Sequence, residues 1–226
     1  MDAISPDAPH SPLLGADDHR FFFQKPAGLP VFPPHDTPDG DCLLARVRDL
    51  VGAGPFPAGF EGGIAHRLDT ATSGLVVAAR TPEDLIALRA EFAAGTLRKF
   101  YVFRSAGVVG FREVAVTTPI AHHARSRDRM VCARGADPDR TSHRGRWYPA
   151  LTHISRRGAL WQAEIRTGVM HQIRVHAASV GLPLTGDTLY GGAPGPYLLH
   201  HFLMVGGGWR SPEAPLPEAP RSARPH

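Results

Sequence analysis

Cysteine, lysine and long apolar runs are all scarce in this 226-residue chain, and each scarcity excludes something. Two cysteines, Cys42 and Cys132, make neither a disulfide framework nor a metal site. No apolar run approaches the ~20 residues that a bilayer-spanning helix needs. The opening MDAISPDAPHSPLLG lacks the basic and apolar regions of a secretory signal, so the expected location is the cytoplasm. No internal repeat is evident. What remains is a globular balance, 42% hydrophobic and 20% charged, long enough for one large domain or two small ones.

Lys25 and Lys99 are the only lysines, so 23 of the 25 basic residues are arginine. Seven arginines and three aspartates fall between Ala121 and Tyr148, a surplus that equals the whole net charge of +4. Guanidinium suits bidentate phosphate contacts and stacking on bases. An Ala-, Gly- and Pro-rich chain can also owe its arginines to an arginine-favouring genome. The segment itself reads as a long surface excursion, a short hairpin followed by a loop, that is either merely solvated or tracks phosphates.

Local patterns order the chain into elements. Residues 1–16 carry three prolines and no periodicity, so a flexible N-terminal tail is expected there. Arg20 to Gln24 reads as a strand. Leu43, Leu44, Val47, Leu50 and Val51 recur at helical spacing. The glycine-rich segment Gly52 to Gly63 reads as a flexible loop. Thr81-Pro82-Glu83-Asp84 is a helix start, with a capping threonine, proline at the first position and acids in the first turn. Lys99 to Ser105, Trp147 to Ser155, Ala159 to Arg166 and Tyr197 to Leu203 read as strands. Ile173, Ala177 and Val180 share a helical face. Beyond Gly206, GGGWRSPEAPLPEAPRSARPH reads as a Pro-rich disordered tail.

The chemistry concentrates in a few strings. His66-Arg67-Leu68-Asp69 is followed by the turn formers Thr70, Thr72, Ser73 and Gly74, then by the apolar Leu75 to Ala79. A cation and a carboxylate on a loop feeding a buried strand have a rigid support, which is where binding and catalytic groups tend to sit. An isolated Arg-Leu-Asp would more often be an inert surface pair. Further strings are Lys25-Pro-Ala-Gly, Lys99-Phe-Tyr101, Thr167-Gly-Val-Met-His171-Gln172-Ile-Arg174-Val-His176 and Gly186-Asp-Thr-Leu-Tyr-Gly191. His171 and His176 are five apart, not the three or four of a helical metal pair, and His122-His123 has no partner at ligand spacing.

Taken together, HRLDTATSGL, KPAG, K-x-Y, TGVMHQIRVH and GDTLYG resemble the RNA pseudouridine synthases of the RluA type (RluA/RsuA superfamily), over roughly residues 17–205. The resemblance implies a mixed α/β (α+β) fold, a largely antiparallel sheet flanked by helices, forming one catalytic domain over 17–205 between tails 1–16 and 206–226. It implies isomerisation of a specific uridine to pseudouridine in structured RNA (tRNA or rRNA), by a monomer, with no cofactor, metal or membrane. Asp69 is then the catalytic residue, Arg174 the cation that contacts it, and Tyr101 the ring lying against the target base. Arg67 would fill the space left when the uridine is turned out, a step costing roughly a few kcal/mol. His66, Thr72, His171 and Gln172 complete the expected substrate contacts. The sequence departs from the family at Val169, where arginine is usual, and at Met170, often threonine. Two rivals follow: an RNA-binding module of the same fold with weakened catalysis, and a hydrolase of a free nucleotide.

Overall fold

The computed structural model describes residues 12–34, 36, 37, 40–51, 59–133 and 141–217. Its backbone groups into two compact units, residues 1–85 with 212–226, and residues 86–211. The mixed α/β class with mainly antiparallel strands agrees with expectation.

In the first unit, β1 (Leu13–Ala16), β2 (Arg20–Lys25) and β3 (Ser73–Ala79) form an antiparallel ladder in that order. All seven residues of β3 are buried. That explains its apolar, β-branched sequence: such a strand has no solvent face to supply polar alternation. The helix α1 (Leu43–Val51) buries Leu43 and Val47. Gly63 lies against the backbone of Ala79 at φ +72, where a side chain would collide, so this close approach requires glycine. Residues 52–58 of the expected flexible loop, and 1–11 and 218–226 of the expected tails, lie outside the described residues.

Both tail assignments need correction over the parts described. Leu13–Ala16 is a strand paired to β2, because Leu13 has a buried place to fill that its proline-rich surroundings conceal. Past Gly206, Ser211 donates from its backbone to Met204 O at 3.0 Å and receives the Met204 N–H on Oγ at 3.1 Å. Gln24 reaches Pro215 O at 3.0 Å, and Ala214 is buried. Proline removes a donor without preventing its neighbours from accepting, so a proline-rich segment can still be held by its carbonyls.

The boundary between units falls inside α2 (Pro82–Ala94), after Leu85. Its start is built as the sequence predicts: Thr81 Oγ1 accepts the Asp84 N–H at 3.1 Å, and Gly95 ends it at φ +66. The second unit continues with β4 (Arg98–Phe103), β5 (Glu113–Val116), β6 (Ile120–His123), β7 (Met130–Cys132), β8 (His143–Tyr148), β9 (Thr152–Arg157), β10 (Leu160–Ile165), α3 (Gln172–Ser179) and β11 (Leu199–Val205). The antiparallel ladder runs β11-β4-β10-β9-β5, and a small sheet runs β7-β6-β8.

The short hairpin expected in the arginine-rich stretch is present as β6 and β7, and β8 adds a third strand where a loop was expected. Ala121 is buried, and Ile120 and Met130 are buried beside Ala150, Val175 and Tyr190, while Arg125, Arg127, Arg129, Arg144 and Arg146 are exposed. Trp147 to Ser155 is two strands rather than one. Pro149 falls between β8 and β9, and the two strands belong to different sheets.

Candidate active site

Hydrogen bonds from Lys25, Gly28 and Thr72 hold the loop that carries Asp69. Lys25, at the end of β2, is fully buried and spreads its ammonium over three carbonyls: Leu29 at 2.6 Å, Pro26 at 3.0 Å and Thr70 at 3.1 Å. Gly28, at φ +86, donates to the same Thr70 carbonyl at 2.8 Å. The positive φ is why the KPAG turn ends in glycine. Thr72 closes a turn by donating to Asp69 O at 3.0 Å. The KPAG string and the HRLD string are thus one structure, clamped by a lysine that sequence reasoning left without a role. Burial lowers the Lys25 ammonium to about 8, against an upward pull from the Asp69 carboxylate.

His66 anchors the loop from the other end. Its Nε2 accepts the Val77 N–H of β3 at 3.0 Å, so the neutral ring carries its proton on Nδ1. Leu68 is buried, Asp69 is half-buried and Arg67 is exposed. Thr72 is buried, and among the described residues its hydroxyl has no hydrogen-bond partner. A buried orphan hydroxyl is costly, and here it sits in the turn that begins at Asp69.

In the second unit Tyr101 lies on β4 with its ring stacked on His201 of β11, centroids 4.5 Å apart and 17° from parallel. Tyr101 is buried, so its ring is presented from a rigid strand. The α3 helix follows a turn held by Gln172. The Gln172 amide accepts from Thr167 Oγ1 at 2.8 Å and Val169 N at 3.2 Å, and donates to Leu151 O at 3.0 Å and Thr152 Oγ1 at 3.1 Å. All four of its hydrogen-bonding positions are used inside the protein. Gln172 therefore acts on the loop 167–169 and on the seat of α3, where a substrate contact was expected.

Thr152 continues the network to His176, whose Nδ1 lies 2.8 Å from the threonine hydroxyl while its Nε2 lies 2.8 Å from Thr118 O. A carbonyl can only accept, so Nε2 carries the proton and Nδ1 receives the threonine's. Burial holds this histidine's pKa below its ordinary value.

Arg174 was expected to contact Asp69, which lies in the other unit. Nε and Nη2 of Arg174 donate at 2.6 and 2.9 Å to the two oxygens of Asp187. The Arg174 and Asp187 side chains are 13% and 2% exposed. This is the two-pronged geometry that arginine alone provides. Tyr190 lies under the same guanidinium, with Arg174 Cζ 5.0 Å from the ring centroid. Asp187 and Tyr190, both from the GDTLYG string, were missed as site residues. Their signal was present, a polar pair in a glycine-bounded turn, but spacing alone names no partner for it.

The sequence from residue 19 to residue 179 matches the RNA pseudouridylate synthase family. The chain belongs to that family. Among similar proteins, the ribosomal large subunit pseudouridine synthase D of Xanthomonas campestris is 37% identical over 183 residues, covering 80% of this chain and 52% of that one. The enzyme of the same name from Nitrosomonas europaea is 34% identical over 179 residues, covering 79% and 49%. The chain thus spans about half the length of the curated relatives it matches. In fold it is similar to human RNA pseudouridylate synthase domain containing 1, with a TM-score of 0.70 at 18% identity over 93% of this chain and 84% of that one.

Within this synthase family the departures at 169 and 170 acquire a physical setting. Val169 is half-buried against the cluster of Ile120, Met130, Ala150, Val175 and Tyr190, so the position packs on the small sheet. Met170 is exposed. Among the described residues no group of histidine, cysteine or acidic side chains could hold a metal, and no helix is long and apolar enough to cross a membrane.

Lys99, two residues before Tyr101 on the same face of β4, is the other buried lysine. It is 5% exposed, and its ammonium makes no hydrogen bond or ion pair among the described residues, lying 5.4 Å from the Phe92 ring centroid. Burial lowers it to about 8. In the unfolded chain the same group titrates near ~10.4, so between about pH 8 and that value the unfolded state binds more protons and stability rises with pH. Lys99→Met removes the penalty and should stabilise the protein by roughly 1–3 kcal/mol at neutral pH. The advantage should shrink as the pH is raised from about 8 to about 10. Urea midpoints of the two proteins across that range check this; an advantage independent of pH would contradict it.

Proposed function

We propose that this chain isomerises uridine to pseudouridine in RNA, acting in the cytoplasm as a monomer on tRNA or ribosomal RNA. The observation that carries the reading is the family match over residues 19–179, a span that retains Asp69, Tyr101 and Arg174. The reaction breaks the N1–C1′ bond, turns the base and rejoins it through C5, and needs no redox partner. Asp69 supplies the ionised carboxylate, Tyr101 the ring on which the extruded base stacks, and Arg67 the side chain that occupies the vacated space. Arg174 fixes charge and orientation, and His66 and Thr72 act from the Asp69 loop. The orphan hydroxyl of Thr72 supports a substrate contact there, since a bound nucleotide would satisfy it.

The direct test is conversion of uridine in ribosomal RNA and tRNA transcripts by the purified chain, with the modified position mapped in total RNA with and without the gene. Conversion of none of them would leave the second reading, an RNA-binding module of the same fold with weakened catalysis. Val169 and Met170 are the residues that favour it.

Both readings share an RNA surface, which the five exposed arginines of the small sheet and its connections supply. Arg146 lies 4.8 Å from the Tyr148 ring centroid, and His143 stacks obliquely on Trp147 at 4.4 Å. Such a combination of cations and flat rings suits phosphates and unpaired bases. Replacing Arg125, Arg127, Arg144 and Arg146 by alanine should weaken binding and flatten its salt dependence, by about 0.7–0.9 in slope for each phosphate no longer neutralised. Titrations at several salt concentrations measure that slope. No change would return the arginines to a solvated surface.

A further inference from the structure

The turn after α3 holds a hydroxyl whose proton has one destination. Tyr190 is buried, and its oxygen accepts the Met130 N–H of β7 at 2.9 Å. Its other partner is Nδ1 of His171, also at 2.9 Å, with the two rings edge to face. Among the described residues the phenol has no further partner. A phenol carries one proton and Met130 is itself a donor, so the Tyr190 proton goes to His171 Nδ1. The alternative, a proton on Nδ1 pointing at the phenol, would leave the buried hydroxyl proton without an acceptor, a costly arrangement.

The rest of the setting keeps both rings in place. His171 has φ 54 and ψ 18, and among the described residues it is the one non-glycine position with positive φ. A left-handed histidine immediately before a helix is held at some cost, and such strain points toward a site rather than away from one. The Tyr190 ring lies under Arg174 at 5.0 Å and under Arg129 at 5.9 Å, so it cannot turn away without disturbing both cations. One side chain thus ties together the small sheet through Met130, the strained entry to α3 through His171, and the Arg174–Asp187 pair.

We propose that Tyr190 is a positioning residue that locks His171 with its proton on Nε2, making the imidazole a hydrogen-bond donor to an acceptor oxygen of the RNA rather than a base through that nitrogen. The donor role rests on the RNA-modifying reading above; the locked tautomer does not. A His171 fixed in this way contributes to binding and orientation, and takes no proton from the uridine.

Ring-nitrogen NMR of 15N-labelled protein at about pH 8, where ordinary histidines are neutral, reads the tautomer directly. The His171 signals are identified by their loss in His171→Asn, a residue that tolerates the left-handed region. In the wild type, Nδ1 should be unprotonated and Nε2 protonated, and in Tyr190→Phe the signals should move toward a mixture of the two forms. A wild-type His171 protonated on Nδ1 overturns the proposal, and that measurement needs no Tyr190 variant to fold. A tautomer unmoved by Tyr190→Phe overturns it equally.

Activity gives the second arm. Tyr190→Phe keeps the ring beneath the two arginines and should raise KM for RNA about tenfold with a smaller change in kcat, the pattern of lost binding common to ground and transition states. In a His171→Asn background the same substitution should add less than about twofold, because Tyr190 acts through His171. Additive effects would overturn the link. A chain that converts no uridine at all would refute the proposed function and leave the tautomer result standing.

Discussion

Asp69→Asn is expected to reduce uridine conversion by more than ~10³-fold while leaving RNA affinity within several-fold. Asparagine keeps the size and the backbone of the turn, so the Thr72 N–H still finds the residue-69 carbonyl and Lys25 still holds the Thr70 carbonyl. What disappears is the negative charge. The structure offers a second readout that does not depend on activity. The Asp69 carboxylate raises the pKa of Lys25 against the lowering caused by burial, so in Asp69→Asn the lysine should titrate below about 8. A variant that retains near wild-type turnover would remove Asp69 from the catalytic role. A variant that loses turnover with Lys25 unchanged would say that the carboxylate and the clamp are independent.

How much of this was legible beforehand depended on whether the deciding interaction was local. The start of α2 was readable because a threonine cap, a proline and two acids act within four residues of one another. The burial of β3 was readable because a strand covered on both faces must be apolar throughout. The loop carrying Asp69 was readable as a motif, but its clamp was not. Lys25 precedes Thr70 by 45 residues, and nothing in a Lys-Pro dipeptide says that the ammonium will turn inward onto three carbonyls.

The errors have the same origin. Proline content made 206–217 read as disordered, whereas the order there comes from the partners of Ser211 and Pro215 and the burial of Ala214, which composition does not record. The arginine-rich stretch read as a short hairpin followed by a loop, and its third strand, β8, was missed because the exposed charges there outnumber the core residues. Ile120, Ala121 and Met130 suffice to seat a small sheet, since a short strand needs only one or two inward side chains to settle its register. Gln172 was expected at the substrate because the resemblance carried by the HQIRVH string implied it. Its four internal partners lie at Leu151, Thr152, Thr167 and Val169, and only the fold brings the first two to it.

Asp187→Ala should be among the most destabilising single changes in the second unit and should lower activity as well. The carboxylate it removes holds Arg174 by two hydrogen bonds in a place where water cannot substitute, since the Asp187 side chain is 2% exposed. Breaking a buried pair by deleting one partner typically costs ~3–5 kcal/mol, mostly from the charge left behind. Arg174→Met should cost a similar amount, now by stranding Asp187. Arg174→Lys should fall between, because an ammonium keeps the charge but cannot meet both oxygens in one plane. The double variant Arg174→Met with Asp187→Leu separates stability from chemistry. With neither charge buried it should recover much of the lost stability, as replacement of buried pairs by apolar groups often does, and it should recover no activity. Urea unfolding and uridine conversion measured on the same four proteins decide the matter. Wild-type stability in Asp187→Ala would mean that the pair holds nothing. Activity restored in the double variant would mean that Arg174 serves the fold alone.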